Sequence, residues 1–150
     1  MSLVWAVPGA VAAINLLIIW FMPKRMSGLE IYATWFTVAA INLSVDIILC
    51  LYFKLYEING PGIQLWVHVL ELVLGPSFGI LYVNFMPESR RRFLIYAAAW
   101  LVFAVLLEAL LVHVRFIVYM HWHLAYSACF YACALLFARW HRRFMRRMAK

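Results

Sequence analysis

Five apolar stretches of about 20 residues, separated by short polar runs, leave this chain few folds to adopt. They lie near residues 3–22, 30–53, 63–86, 93–113 and 119–138. At 1.5 Å rise per residue, a helix of about 20 residues crosses the roughly 30 Å of hydrocarbon in a bilayer. Backbone N–H and C=O groups in hydrocarbon must be satisfied within the segment, so helix is the form these stretches take. A water-soluble alternative fails on composition. With 68% apolar and 13% charged residues, a chain of 150 residues has too little polar surface to cover its apolar part. The expectation is an all-α integral membrane bundle of five transmembrane helices over 1–138, followed by a basic tail over 139–150.

Local signals set the boundaries. Pro23, Lys24 and Arg25 stop the first span, and Asn59-Gly60-Pro61-Gly62 is a tight turn after the second. Pro87-Glu88-Ser89 ends the third, with Glu88 and Ser89 placed to cap the fourth. Residues 1–22 have no basic leading segment and are long enough to span, so they read as a helix rather than a cleaved signal.

Charge gives direction. Lys24, Arg25, Arg90, Arg91, Arg92, Arg139, Arg142, Arg143, Arg146, Arg147 and Lys150, eleven of the thirteen basic residues, fall on one side of a five-span arrangement. Only Lys54 and Arg115 fall on the other. The positive-inside rule then puts the N-terminus outside and the C-terminus in the cytoplasm. The same distribution explains the net charge of +7 without nucleic acid, for which there is no basic and aromatic binding surface. In the tail, Arg139, Arg142, Arg143, Arg146, Arg147 and Lys150 follow a three-to-four spacing opposite Trp140, Phe144 and Met148. That pattern is a basic amphipathic extension of the fifth helix, suited to anionic lipid at the cytoplasmic face or to a partner.

Two sequence echoes bear on organisation. Phe21-Met22-Pro23 and Ile31-Tyr32-Ala33 recur as Phe85-Met86-Pro87 and Ile95-Tyr96-Ala97, all at an offset of 64. This suggests a 2+2 parallel internal repeat with a fifth helix added. Val11-Ala12-Ala13-Ile14-Asn15-Leu16 also resembles Val38-Ala39-Ala40-Ile41-Asn42-Leu43, which places Asn15 and Asn42 mid-membrane on neighbouring spans where their amides can pair.

The residues that point to function are the acids inside the spans. Asp46, Glu71 and Glu108 lie about seven, eight and five residues from the outer ends of spans two, three and four, so all three sit roughly 8–12 Å below the outer surface. Asn42 shares a helix face with Asp46, and His68 shares one with Glu71. Ionised carboxylates are costly in hydrocarbon, so this group belongs in the bundle interior or a wet cavity. Three readings follow. The first is a hydrogen-bonded network that fixes helix register. The second is a site or pathway for a proton, a cation or a small cationic substrate, with the acids as charge carriers and His68 as titrating partner. The third is a metal or haem site drawing on His113, His121 and His123, although two histidines two apart diverge on a helix. No cofactor is required by the sequence. Gly75-Pro76 puts a kink one turn beyond Glu71, freeing carbonyls of the preceding turn. Cys50, Cys129 and Cys133 lie within apolar runs and read as inert thiols. Five short helices enclose little polar volume alone, so a homo-oligomer is expected.

The stretch Asn84-Phe85-Met86-Pro87-Glu88-Ser89-Arg90-Arg91-Arg92-Phe93 resembles a family of small multi-span proteins from spore-forming Gram-positive bacteria. Glu108, Tyr119, Trp122 and Arg139-Trp140-His141-Arg142-Arg143-Phe144 add to the resemblance, which covers nearly the whole chain. The family is uncharacterised. The resemblance implies five helices and a bacterial cytoplasmic membrane, and no activity. His121 departs from it, at a position near which relatives carry glycine.

Overall fold

The computed structural model describes residues 3–60 and 64–148. Five long helices dominate: α1 (Leu3–Phe21), α2 (Gly28–Asp46), α3 (Leu65–Phe85), α4 (Arg90–His113) and α5 (Leu124–Met148). A π-helical segment, Ile47–Tyr52, continues α2. Two three-residue strands, β1 (Tyr56–Ile58) and β2 (Ile117–Tyr119), pair antiparallel. The helical architecture is the expected one. The ribbon is an addition to it, because three-residue strands carry too little pattern to read.

Helices α1 to α4, with the π-helical segment included in the second, are long and apolar enough to cross a membrane. Their outer surfaces expose Leu17, Trp20, Phe36, Trp66, Leu94 and Leu106, as helices solvated by lipid do. The fifth helix starts at Leu124, later than residue 119, because Tyr119 is held in β2 and residues 120–123 turn the chain. It then continues without a break through the basic segment to Met148.

Helix α3 is the centre of the bundle. It packs on α1 and α2 and carries the largest set of buried residues, while α4 and α5 pack on each other. Small residues permit the α2 contact: a methyl group added to Gly75 would collide with the Asn42 amide, and one added to Gly79 would lie 2.8 Å from Val38 Cγ2. Two glycines four apart let the backbones approach. The packing is unequal, being extensive between α2 and α3 and slight between α1 and α4, the pair a two-fold repeat would make equivalent. Asn15 and Asn42 do not pair. Asn15 Nδ2 donates to Ser77 Oγ at 3.0 Å, and Asn42 rests against Gly75, so both amides meet α3 instead.

One end of the bundle gathers the basic chain. Asn84 Oδ1 accepts from the Arg25 backbone N–H at 2.8 Å, and Asn84 Nδ2 donates to the Pro23 carbonyl at 3.1 Å, pinning the α1–α2 turn to the end of α3. Met26, Tyr82, Val83, Met86 and Phe93 form a buried core there. Ser27 and Glu30 form a reciprocal cap at the start of α2, each side chain meeting the other's backbone N–H. The cap expected at α4 is not made by its side chains: Ser89 makes no side-chain bond to the helix, and Glu88 pairs with Arg146 across the turn. At the opposite end, Lys54, Asn59 and Arg115 adopt left-handed backbone conformations as the chain turns into and out of the ribbon.

Candidate functional site

The ribbon brings two of the acids under control. Tyr56 and Tyr119 are directly opposed across it, and opposed residues in an antiparallel pair share a face. Tyr56 Oη donates to Asp46 Oδ1 at 2.5 Å, and Tyr119 Oη donates to Glu108 Oε1. Burial raises both phenol pKa values above the usual range, which keeps the hydroxyls protonated and donating. Asp46 closes α2 at the point where the helix widens to the π-helical form, an irregularity frequent at functional positions.

Glu108 is the most completely held of the acids. Ser127 Oγ donates to its Oε1 at 2.5 Å and Tyr131 Oη to its Oε2 at 2.5 Å, in addition to Tyr119. Trp122 Nε1 donates to Ser127 Oγ at 2.7 Å, locking the hydroxyl that serves Glu108. A carboxylate takes three hydroxyl donors without conflict because it only accepts. Glu108 therefore joins α4 to β2 and α5.

Glu71 is held on one side only. Its Oε2 lies 3.0 Å from His68 Nδ1, one turn earlier on α3, while its Oε1 is buried with no hydrogen-bond partner in the protein. Asp46 is near enough to Glu71, His68 and Glu108 for their charges to act on it. Acids from α2, α3 and α4 thus share one electrostatic neighbourhood.

A cavity of about 460 Å³ between α2, α3, α4 and α5 runs inward from this cluster. Asn42, Glu71 and Glu108 line one end. Asp46 and His68 lie beside it, lining a separate small recess with Gln64. The middle is a wall of Phe78, Trp100, Phe103, Phe130 and Phe137. Thr34 and His141 line the end nearest the basic turns. Thr34 Oγ1 and His141 Nε2 are buried without partners. Three of the buried polar atoms left without partners therefore lie on residues that line one cavity, Glu71, Thr34 and His141.

The other expected groups lie elsewhere. His113, His121 and His123 are exposed at the ends of α4 and β2 and the start of α5. Among the described residues, no three His, Cys, Asp or Glu side chains come together as a metal-binding set. Much of the basic tail faces inward rather than to lipid. Arg139 stacks over the Phe93 ring at 3.7 Å, Arg142 is buried and donates to the Met86 carbonyl at 2.7 Å, and Arg146 reaches Glu30 at 3.3 Å and Glu88 at 3.2 Å. Arg143 and Arg147 are exposed, and Lys150 lies outside the described residues.

Tyr56, Tyr131, Ser127 and Thr34 carry site geometry that the sequence did not single out. The first two are unmarked in a chain that is 17% aromatic, where tyrosine is equally at home anchoring a helix at the lipid interface. No family model, curated protein or solved structure matches the chain.

Proposed function

We propose that this chain is a five-span protein of a bacterial cytoplasmic membrane, N-terminus outside and C-terminus cytoplasmic, that binds a proton or small cation at Glu71. The observation that carries the reading is the Glu71 carboxylate, with one oxygen on His68 and the other buried and unpartnered, on a residue that lines a cavity. A carboxylate oxygen away from water gains from a proton or a cation, and the neighbouring charges of Asp46 and His68 make its occupancy responsive to theirs. Asp46 and Glu108 already have hydroxyl donors, so they shape the field at Glu71 rather than compete as the binding atom. α5 supplies the fifth crossing. It runs from the ribbon end, where Ser127 meets Glu108, to the basic end, where Arg142 meets Met86. Exposed Arg143 and Arg147 then face anionic lipid.

Proteoliposome flux tests this. Wild-type protein is expected to dissipate an imposed proton or monovalent-cation gradient, and Glu71→Gln to lose that flux while keeping the wild-type elution profile and unfolding midpoint in detergent. Equal flux in wild type and Glu71→Gln overturns the reading. A packing role for the acids is favoured at Glu108 alone, by its three hydroxyl donors. Glu108→Gln is expected to lower the unfolding midpoint.

A further inference from the structure

Glu71 and His68 differ in what can reach them. Glu71 Oε1 is sealed from water and has no partner, and Oε2 is covered by His68 Nδ1 at 3.0 Å. The His68 side chain is 23% exposed against 13% for Glu71. It stands three residues into α3, about 4.5 Å from the helix start, where Glu71 is about 9 Å in. His68 also lines the small recess beside Asp46, Cys50 and Gln64, which has room for a water molecule. Its second ring nitrogen, Nε2, has no hydrogen-bond partner among the described residues. The imidazole thus lies between the ribbon end of the bundle and an acid that water does not touch.

Resting on the reading of Glu71 as the ion-binding group, we infer that the ion is the proton and that it reaches Glu71 through His68. A sodium or potassium ion must exchange its hydration shell for several oxygen ligands. Glu71 Oε1 has no polar neighbour to complete such a shell, and no three acidic, histidine or cysteine side chains converge among the described residues. A proton needs one lone pair and no volume. The step balances on the imidazole. A hydronium ion at the recess gives its proton to Nε2 and becomes water, while the Nδ1 proton passes to Glu71 Oε2. His68 ends neutral with its proton on the other nitrogen, and Glu71 ends as the neutral acid. The other titratable groups around the pair are Asp46 and Cys50 from α2 and its π-helical continuation, Tyr56 from β1, and Glu108 from α4 with Tyr119 and Tyr131. Tyr56 serves Asp46, and Ser127 and the other two tyrosines serve Glu108. Glu71 alone of the three acids has an imidazole as its partner, and an imidazole can both take and give a proton.

The experiment places the full chain in liposomes and reads each ion separately: proton entry with a trapped pH dye, sodium and rubidium entry with their radioisotopes. Wild type is expected to admit protons and, beyond protein-free liposomes, neither metal ion. His68→Gln keeps an N–H donor for Glu71 but cannot carry a proton, so a purely structural His68 would tolerate it. It is expected to slow proton entry at least about ten-fold, a modest part of the ~100-fold or more that a positioned acid–base side chain contributes, with the wild-type elution profile and unfolding midpoint. His113→Gln, at an exposed imidazole ending α4, is expected to leave proton entry unchanged. If His68→Gln does not fold, His68→Asn takes its place, and the wild-type ion ranking needs no variant. Sodium or rubidium entry that Glu71→Gln abolishes overturns the inference while the cation reading stands. Proton entry that Glu71→Gln abolishes and His68→Gln leaves at the wild-type rate does the same. If Glu71→Gln leaves every flux unchanged, both fall.

Discussion

A single methyl group is enough to disturb the contact between α2 and α3. Gly75 faces the Asn42 amide with no room for a Cβ. Gly75→Ala is expected to destabilise by about 1–3 kcal/mol, the usual range for overpacking, lowering the unfolding midpoint in detergent. Asn42→Ala is expected to restore part of that loss in the double variant. A Gly75→Ala protein as stable as wild type would show that α2 and α3 do not meet there. The hydroxyls around Glu108 make a second residue-scale prediction. Tyr131→Phe removes one of the donors to a buried carboxylate and is expected to cost about 1–3 kcal/mol, read by the same measurement. The acids were legible in the sequence because a carboxylate inside an apolar run has few structural excuses. Their tyrosine donors were not, since nothing local distinguishes a tyrosine aimed at an acid from one at the lipid interface. Asn42 and Asn15 misled for a related reason. Their position along the helices was readable, but which helix each amide met depended on Gly75 and Ser77 of α3.

At the scale of elements, the basic segment of α5 is a fastener as much as a topological signal. Arg142 reaches the carbonyl of Met86, which ends α3, and Arg146 joins Glu30 in the first turn of α2 to Glu88 in the α3–α4 turn. The two contacts differ in weight. Arg142→Met deprives a buried carbonyl of its donor and is expected to cost about 1–3 kcal/mol. Arg146→Ala breaks partly exposed ion pairs that contribute about 0.2–1 kcal/mol each, and less at high salt. Unfolding midpoints at low and high salt check the pair: only the Arg146 effect is expected to fade with salt. The long helices were readable from apolar length. The ribbon was hidden because Ile117, Val118 and Tyr119 extend an apolar run, so the start of α5 read as earlier than it is. The π-helical stretch Ile47–Tyr52 has no sequence mark either, and it decides how Asp46 meets Tyr56.

For the whole molecule, the structure ties the two basic turns and the end of α5 to one pole, and the ribbon with Lys54 and Arg115 to the other. The poles cannot be inverted piecemeal: whichever side of the membrane holds Arg25 also holds Arg143, because Asn84 and Arg146 join their segments. Basic residues near helix ends resist translocation, and the proposed orientation accordingly puts the pole with the arginines in the cytoplasm. Single cysteines at Lys54 and Arg143, introduced after replacing Cys50, Cys129 and Cys133, test this in intact cells with a membrane-impermeant maleimide. Lys54→Cys is expected to label from outside, and Arg143→Cys only after permeabilisation. The two outcomes are coupled by the fold, so labelling both from outside would mean that α5 does not cross beside α4. That single result would detach Ser127 and Tyr131 from Glu108 and remove a wall of the cavity, taking the proposed site with it.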